Sequence, residues 1–264
     1  MVDAQPRMMR LRYAGICRAC AVSIPPGTTA EYDPGTRTVI CGDCLSGAST
    51  AGASARREHE RRAIKRERET RAKHPRIGGF LLAISDEPQS TDAWATGAVG
   101  EERVGRLLDS VGAPTLQVLH DRQIPGTRAN IDHIVVAANG VHVVDTKKYR
   151  GRPTRSAEGG VFSPRVHKLK VGSRDQTALV TGVLKQASLV REALDGAGHS
   201  AVPVHSALCF VDADWPLFGG SFSLSGVDVL WPNKLVEKLA DPGTIDEQLR
   251  EELARLLRAK FPPA

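Results

Sequence analysis

The sequence predicts a mixed α/β (α+β) domain with a small cysteine-bearing module ahead of it. Three observations predict this. The apolar runs Ile131–Ala137 and Val141–Lys147 flank Asn139-Gly140, as the two strands of a hairpin would. Leu179, Val180, Val183, Leu184, Ala187, Val190 and Leu194 recur at helical spacing across Thr177–Asp195. Four of the five cysteines fall within residues 17–44.

The elements follow in order. Residues 1–45 hold the cysteines, with turns at Pro25-Pro26-Gly27 and Pro34-Gly35 and short strands in AEY and RTVI. Residues 46–79 form a connector. Ser46–Ala55 is rich in small residues and reads as a flexible linker. Residues 56–73 carry nine Lys/Arg against four Glu and no Gly or Pro, which predicts a solvated basic helix ended by His74-Pro75 and Gly78-Gly79. Ile64 is nearly its only apolar residue, so no buried stripe is expected. Residues 80–264 form the large domain. It opens with a helix over 97–110 and a strand over Thr115–His120. The hairpin, the Thr177–Asp195 helix and a strand over Pro203–Val211 follow. A strand at Val227–Trp231 and an amphipathic helix over Thr244–Phe261, with Thr244 and Glu247 as a capping box, complete it.

Composition narrows the function classes. Hydrophobic residues make up 41% and charged residues 25%, as in soluble globular proteins. No apolar run approaches the roughly 20 residues that cross a bilayer, and the N-terminus lacks the apolar core of a secretory signal. A cytoplasmic location without membrane contact is the expectation. Thirty-six Lys/Arg against 30 Asp/Glu give a net charge of +6 and a pI of about 9.2, a mild bias toward polyanions. There is no GxxxxGK[ST] loop and no GxSxG elbow, which argues against ATP hydrolysis and against serine-hydrolase chemistry.

Cys17-Arg-Ala-Cys20 and Cys41-Gly-Asp-Cys44 are two CxxC pairs separated by 20 residues. Each turn lets two thiolates converge on one ion, and two turns complete a tetrahedral four-thiolate zinc shell. A zinc ribbon is expected, with Zn(2+) in a structural role. Such a module binds nucleic acid or a protein partner alike. Cys209 lies in an apolar strand and is assigned to the core.

The stretch NIDHIVVAANGVHVVDTKKYRG, residues 130–151, carries the chemistry. With Asn139-Gly140 as a two-residue turn, Ala138 faces Val141, Asp132 lies opposite Lys147 and Ile134 lies opposite Asp145. Asp132, Asp145 and Lys147 then project to one side of the sheet, while His133, His142 and Lys148 point to the other. Two carboxylates beside one lysine among Val and Ile suit a hard divalent cation. They equally suit a plain Asp–Lys ion pair, and these residues alone leave both open.

Ile131-Asp132-His133, followed by Gly140-Val-His-Val-Val-Asp145-Thr-Lys147 and Gly151, resembles the core of the nuclease-related (NERD) domain, a family of the PD-(D/E)xK superfamily. Trp94…Gly97-Ala-Val-Gly100-Glu101 resembles that family's glycine–glutamate helix, and Leu184-Lys-Gln186 its glutamine motif. The resemblance implies a restriction-endonuclease-like αβββαβ core. It also implies roles. Asp132 and Asp145 would hold Mg(2+) or Mn(2+), and Lys147 would be the catalytic lysine. Glu101 would complete or orient the metal shell, and Gln186 would touch the water or a phosphate. The family often carries Glu where this chain has Asp145, one methylene shorter.

Between residues 147 and 174 nine cations face one acid, Glu158. They are Lys147, Lys148, Arg150, Arg152, Arg155, Arg165, Lys168, Lys170 and Arg174. The glycines and prolines there predict a loop-rich basic surface that neutralises backbone phosphates without reading bases. The expected function is metal-dependent cleavage of nucleic acid, with DNA placed ahead of RNA. The alternatives are a non-catalytic nucleic-acid-binding protein, or an adaptor whose ribbon docks a protein partner.

Overall fold

The computed structural model describes residues 6–18, 23–45, 50–73, 89–112, 115–160, 163–217 and 219–264. The N-terminal module contains β1 (Arg7–Arg10), β2 (Gly15–Ile16), β3 (Ser23–Ile24), β4 (Thr29–Asp33), β5 (Thr38–Cys41) and a short α1 (Gly42–Leu45). β1, β4 and β5 pair antiparallel, and β2 pairs with β3. Leu11, Cys17, Ile24, Ala30, Val39 and Cys41 form its small core.

Helix α2 (Ala53–Lys73) is the predicted basic helix, and Ile64 is exposed. Its beginning differs from the expectation of a flexible linker. Ala51 and Ala55 are buried, and Ser54 donates from its N–H and hydroxyl to Asp121 of the large domain. Small side chains let the helix start sit close to its neighbour, so small-residue composition here reflects contact and not freedom. Residues 46–49 and the expected helix stop at 74–79 lie outside the described residues.

The large domain is built on one six-stranded sheet of mixed direction. Helix α3 (Gln89–Val111) precedes β6 (Gln117–Gln123), β7 (Asn130–Ala137) and β8 (Gly140–Lys148). An outlying hairpin of β9 (Pro153–Gly160) and β10 (Ser163–Val171), with β11 (Arg174–Asp175) beside it, leads to α4 (Thr177–Asp195). Then come β12 (Val204–Val211), β13 (Phe222–Leu224), β14 (Val227–Leu230), α5 (Pro232–Leu239) and α6 (Glu247–Lys260). The spatial order is β13-β14-β12-β8-β7-β6. β6, β7 and β8 are antiparallel neighbours, and β12 runs parallel to both β8 and β14. The mixed α/β class predicted from the sequence is observed, with the strands β9, β10 and β11 inserted between β8 and α4 where the predicted order had none.

Each face of the sheet is covered by helices. On one side Ile134, Val136, Val141 and Val143 pack with Val183 and Val190 of α4 and Leu253 and Leu257 of α6. On the other, Val135, Ala137 and Val144 pack with Val104 and Leu108 of α3 and Leu235 of α5. β7 and β8 are apolar on both faces because both faces are covered, which is why they read as continuous apolar runs.

Three expectations need correction. The hairpin turns at Ala138-Asn139, because Ala137 pairs with Gly140 and His133 with Val144. A type I′ turn needs positive φ at both central residues, and neither Ala138 nor Asn139 has it. Tertiary contacts hold the turn instead: Asn139 Nδ2 donates to the Lys238 carbonyl at 2.9 Å, and Ile245 N–H donates to the Ala138 carbonyl at 3.0 Å. The register moves by two residues, so facing parity survives, but Asp132 now neighbours Asp145 and not Lys147. Second, the basic segment is not loop-rich, since β9 and β10 form an antiparallel ladder with a bulge. Third, Asp246 and not Thr244 caps the last helix, accepting from Leu249 N–H at 2.8 Å.

Gly243 offers a local test of the turn. A Cβ there would overlap the Ala138 carbonyl. Gly243→Ala is expected to destabilise the domain by about 2 kcal/mol or more through backbone displacement, read as a lower urea midpoint with unchanged slope.

Candidate active site

The site forms where the β7–β8 ladder ends. His133–Val144 is the last regular pair, and Asp132 and Asp145 follow it. Asp132 Oδ2 accepts from Thr146 N–H at 2.8 Å, so its carboxylate takes a main-chain donor of β8. Lys147 Nζ donates to Asp145 Oδ1 at 2.6 Å. Both aspartates are buried, at 7% and 6% exposure. β8 itself is fixed by β12, with Leu208 beside Asp145 and Phe210 beside Lys147.

Helix α3 delivers Glu101. A Cβ on Gly100 would lie 3.1 Å from Lys148 Cβ and 3.7 Å from Thr146 Cγ2. Glycine thus lets the helix lie directly on β8, and the next residue, Glu101, is near enough for its charge to act on Asp132 and for that of Asp145 to act on it. Glu101 Oε2 is buried without a hydrogen-bond partner among the described residues. From α4, Gln186 Nε2 donates to the Asn130 carbonyl at 3.3 Å, at the start of β7, while its Oε1 is likewise buried without a partner. All five residues singled out from the sequence, Glu101, Asp132, Asp145, Lys147 and Gln186, thus border the end of β7 and β8.

The electrostatics reflect crowding of like charge in a desolvated place. Burial, then the Asp121 charge, pushes the Glu101 carboxyl up to about 7. Burial raises Asp132 well above the usual carboxylate range, and Glu101 and Asp145 add to it, against the opposing pull of Lys147 and the Thr146 N–H. For Lys147 burial works to lower the pKa, but Asp145, Asp132 and Glu101 outweigh it and hold the ammonium charged.

Residues 96–211 match the family model of the nuclease-related domain. That span contains all five residues of the cluster. A 58-residue stretch, 21% of this chain, is 41% identical to an uncharacterized protein of Bacillus anthracis, and it covers 27% of that protein's length. No solved structure matches.

Two features within the matched segment were not evident in the sequence. Asp121 of β6 is fully buried at φ +49° and lies between the pairs His120–His133 and Arg122–Ile131. Its carboxylate accepts from Ser54 and from Asn130 Nδ2, at 2.7 Å for the latter. An acid and an arginine inside the strand QVLHDRQ were the available signal. The second is a chain of hydrogen bonds through the sheet. His120 Nε2 meets Asp109 at 2.9 Å, His120 Nδ1 meets His133 Nδ1 at 2.8 Å, and His133 Nε2 meets Thr146 Oγ1 at 3.1 Å. Burial, reinforced by His120, depresses the His133 pKa strongly, so that ring is neutral. His133 and His142 are structural, as expected. His142 shares a hydrogen bond with Asn139 Oδ1 and stacks on His205.

The basic segment divides. Lys168 pairs with Glu158 and Asp175, Lys170 with Glu158, and Lys148 with Asp212. Arg150, Arg152, Arg155, Arg165 and Arg174 are exposed and make no ion pair among the described residues. Five exposed arginines, and not a uniform cationic loop, therefore make up the unpaired part of this segment among the described residues.

Mg(2+) usually keeps several waters and takes one or two protein carboxylates, and Asp132 and Asp145 with the partnerless Glu101 Oε2 offer oxygen donors of that kind. Among the described residues, no group of three or more His, Cys, Asp and Glu is arranged to hold an ion. In the N-terminal module, Cys41 N–H donates to Cys17 Sγ at 3.3 Å and both cysteines are buried. Cys20 and the side chain of Cys44 lie outside the described residues. No helix among the described residues is long and apolar enough to cross a membrane.

The raised carboxyl pKa values carry a sign for stability. Glu101 binds its proton more tightly in the folded state than in the unfolded one. Its contribution is therefore full below about 4.5 and is lost as pH rises through about 7. In chelator, the melting temperature is expected to fall between pH 5 and pH 8. Glu101→Gln should remove a part on the order of 2 kcal/mol of that pH dependence. A pH profile identical in wild type and variant would contradict the assignment.

Proposed function

We propose that this nuclease-related domain hydrolyses phosphodiester bonds of nucleic acid, DNA ahead of RNA, with Mg(2+) or Mn(2+) held by Asp132 and Asp145. The reading includes a restriction-endonuclease-like core of the PD-(D/E)xK superfamily. The observation that carries it is the pair of orphaned buried oxygens, Glu101 Oε2 and Gln186 Oε1, bordering two buried aspartates and a charged lysine. Burying polar atoms without partners costs about 1–3 kcal/mol each, and a bound ion with its waters would satisfy them.

When bound, the ion supplies Lewis-acid polarisation of a phosphate oxygen and a more acidic water. The protein's own groups do the rest. Lys147 stays protonated at working pH and places positive charge where the pentavalent transition state becomes more negative. Glu101, about half protonated near neutrality, can exchange a proton with water in the cleft. Gln186 Oε1 accepts from that water and orients it. Thr146 N–H holds Asp132 in place. The exposed arginines from Arg150 to Arg174 carry the strand by its phosphates, so binding is salt-dependent and weakly sequence-specific.

The N-terminal module is read as a four-cysteine zinc ribbon of Cys17, Cys20, Cys41 and Cys44. The N–H to Sγ bond supports it, because such a donor stabilises a thiolate ligand. It would aid nucleic-acid or partner binding. Purified protein is expected to carry about one zinc per chain. Cys17→Ser should lower that content and unfold the module, measured by metal analysis and circular dichroism.

A second reading rests on Lys147. Its ammonium occupies Asp145 Oδ1, an atom an ion would take, and Asp145 is shorter than the family's frequent Glu. A domain resting on that ion pair would bind nucleic acid without cleaving it. Incubation with plasmid, single-stranded DNA and RNA in Mg(2+) or Mn(2+) decides. Cleavage is expected, with Asp145→Ala and Lys147→Ala each lowering the rate by about 100-fold or more. Cleavage that survives both substitutions rejects the assignment. Salt-sensitive binding without cleavage establishes the second reading.

A further inference from the structure

Thr146 makes two hydrogen bonds from β8 to side chains of β7, just beyond the last regular pair of that ladder. Its N–H donates to Asp132 Oδ2 at 2.8 Å, and its hydroxyl meets His133 Nε2 at 3.1 Å. Asp132 and His133 are consecutive, so their side chains leave the strand on opposite faces. The carboxylate cluster on one face and the histidine on the other therefore meet at this one residue.

The contact with His133 continues across the sheet. His133 Nδ1 meets His120 Nδ1 at 2.8 Å, between two residues that are direct partners in the β6–β7 ladder. His120 Nε2 meets Asp109 Oδ1 of α3 at 2.9 Å. His133, His120 and Thr146 are buried at 0%, 6% and 5% exposure, whereas Asp109 is exposed. All four ring nitrogens are engaged, so neither ring can turn without leaving a buried polar atom unpaired.

Chemistry assigns the donors. An ionised carboxylate only accepts, so His120 Nε2–H donates to Asp109. Burial keeps His133 neutral, with a single ring proton. A neutral His120 accepts at Nδ1; His133 then donates from Nδ1, and the Thr146 hydroxyl donates to His133 Nε2. A charged His120 reverses the two inner bonds, and the hydroxyl accepts instead. In both polarities the hydroxyl is engaged and the Thr146 side chain is fixed.

We propose that Asp109, His120 and His133 are positioning residues: they hold Thr146, and through its N–H they hold the Asp132 carboxylate in the orientation in which it would take a cation. Groups behind a metal ligand commonly set its geometry and its affinity in this way. The consequence for a cation rests on the function proposed above; the relay itself does not.

Hydrogen exchange of the full chain in chelator, followed by NMR, tests the relay without a metal. Thr146→Val keeps the shape and loses the hydroxyl. Its residue-146 N–H is expected to exchange about tenfold faster, with the Val143 N–H as the internal reference. Thr146→Ser keeps the hydroxyl and should stay near wild type. Asp109→Ala, at the exposed end of the relay, should speed the same N–H by about threefold. The reference amide and thermal melts separate these effects from a loss of global stability. Titration with Mn(2+) reads the consequence at Asp132: affinity should fall by about tenfold in Thr146→Val and less in Asp109→Ala. Unchanged exchange in Thr146→Val, a Thr146→Ser variant as impaired as Thr146→Val, or an Asp109→Ala variant without effect would each overturn the relay. Equal Mn(2+) affinity in wild type and Thr146→Val would overturn its role at Asp132. A wild type that binds no Mn(2+) would refute the metal reading of the site, and the exchange rates would still decide the relay.

Discussion

The arrangement depends on two aspartates that the sheet forces into a desolvated place. Asp132 and Asp145 stand one step beyond the last regular pair of β7 and β8. There the Asp132 carboxylate, and not a carbonyl of the facing strand, receives the Thr146 N–H. The end of the ladder and the site are therefore one structural event. Two like charges in a low-dielectric setting repel strongly, and one lysine offsets only part of that. The outcome is an acidic cluster in which burial holds Asp132 and Glu101 above the usual carboxylate range, the same burial that stabilises the apolar sheet around it.

Much of the architecture was legible in the sequence because it was local. The α4 boundaries and the strand runs follow from periodicity, and Asp132, Asp145 and Lys147 share a neighbourhood because a two-residue register shift preserves facing. What escaped was non-local. The turn at Ala138-Asn139 is set by Lys238 and Ile245, about 100 residues away, so dipeptide preference lost to tertiary contact. The β9–β10 hairpin was misread as loop because its polar alternation lacks an apolar face of the usual kind. Among the described residues of β10, Leu169 and Val171 reach the core. The charges there pair across the ladder, which a count of lysines and arginines along the chain cannot reveal.

Asp121 shows the same limit from another direction. Strand alternation predicts a side chain on one face, but its φ of +49° takes the residue out of regular extension. An L-residue rarely adopts that region, and the cost is of order 1–3 kcal/mol. Three hydrogen bonds to its carboxylate, from Ser54 and Asn130, hold it there. The partner that satisfies it lies 67 residues earlier, in a segment whose composition suggested a tether.

That contact joins the basic helix to the chemistry. Ser54 engages Asp121, whose charge is the largest electrostatic contribution raising Glu101. Arg56, two residues on, pairs with Glu102 and pulls the Glu101 pKa the other way. The start of α2 thus supplies both the anchor for one carboxylate and the counter-charge near another. The first turn of this charged helix is held by the buried Ala55 and by the Ser54 contact with Asp121. Movement of that turn would alter the proton affinity of Glu101 without touching Asp132, Asp145 or Lys147. The start of α2 is therefore linked to the carboxylate cluster through Asp121 and Arg56, by electrostatics.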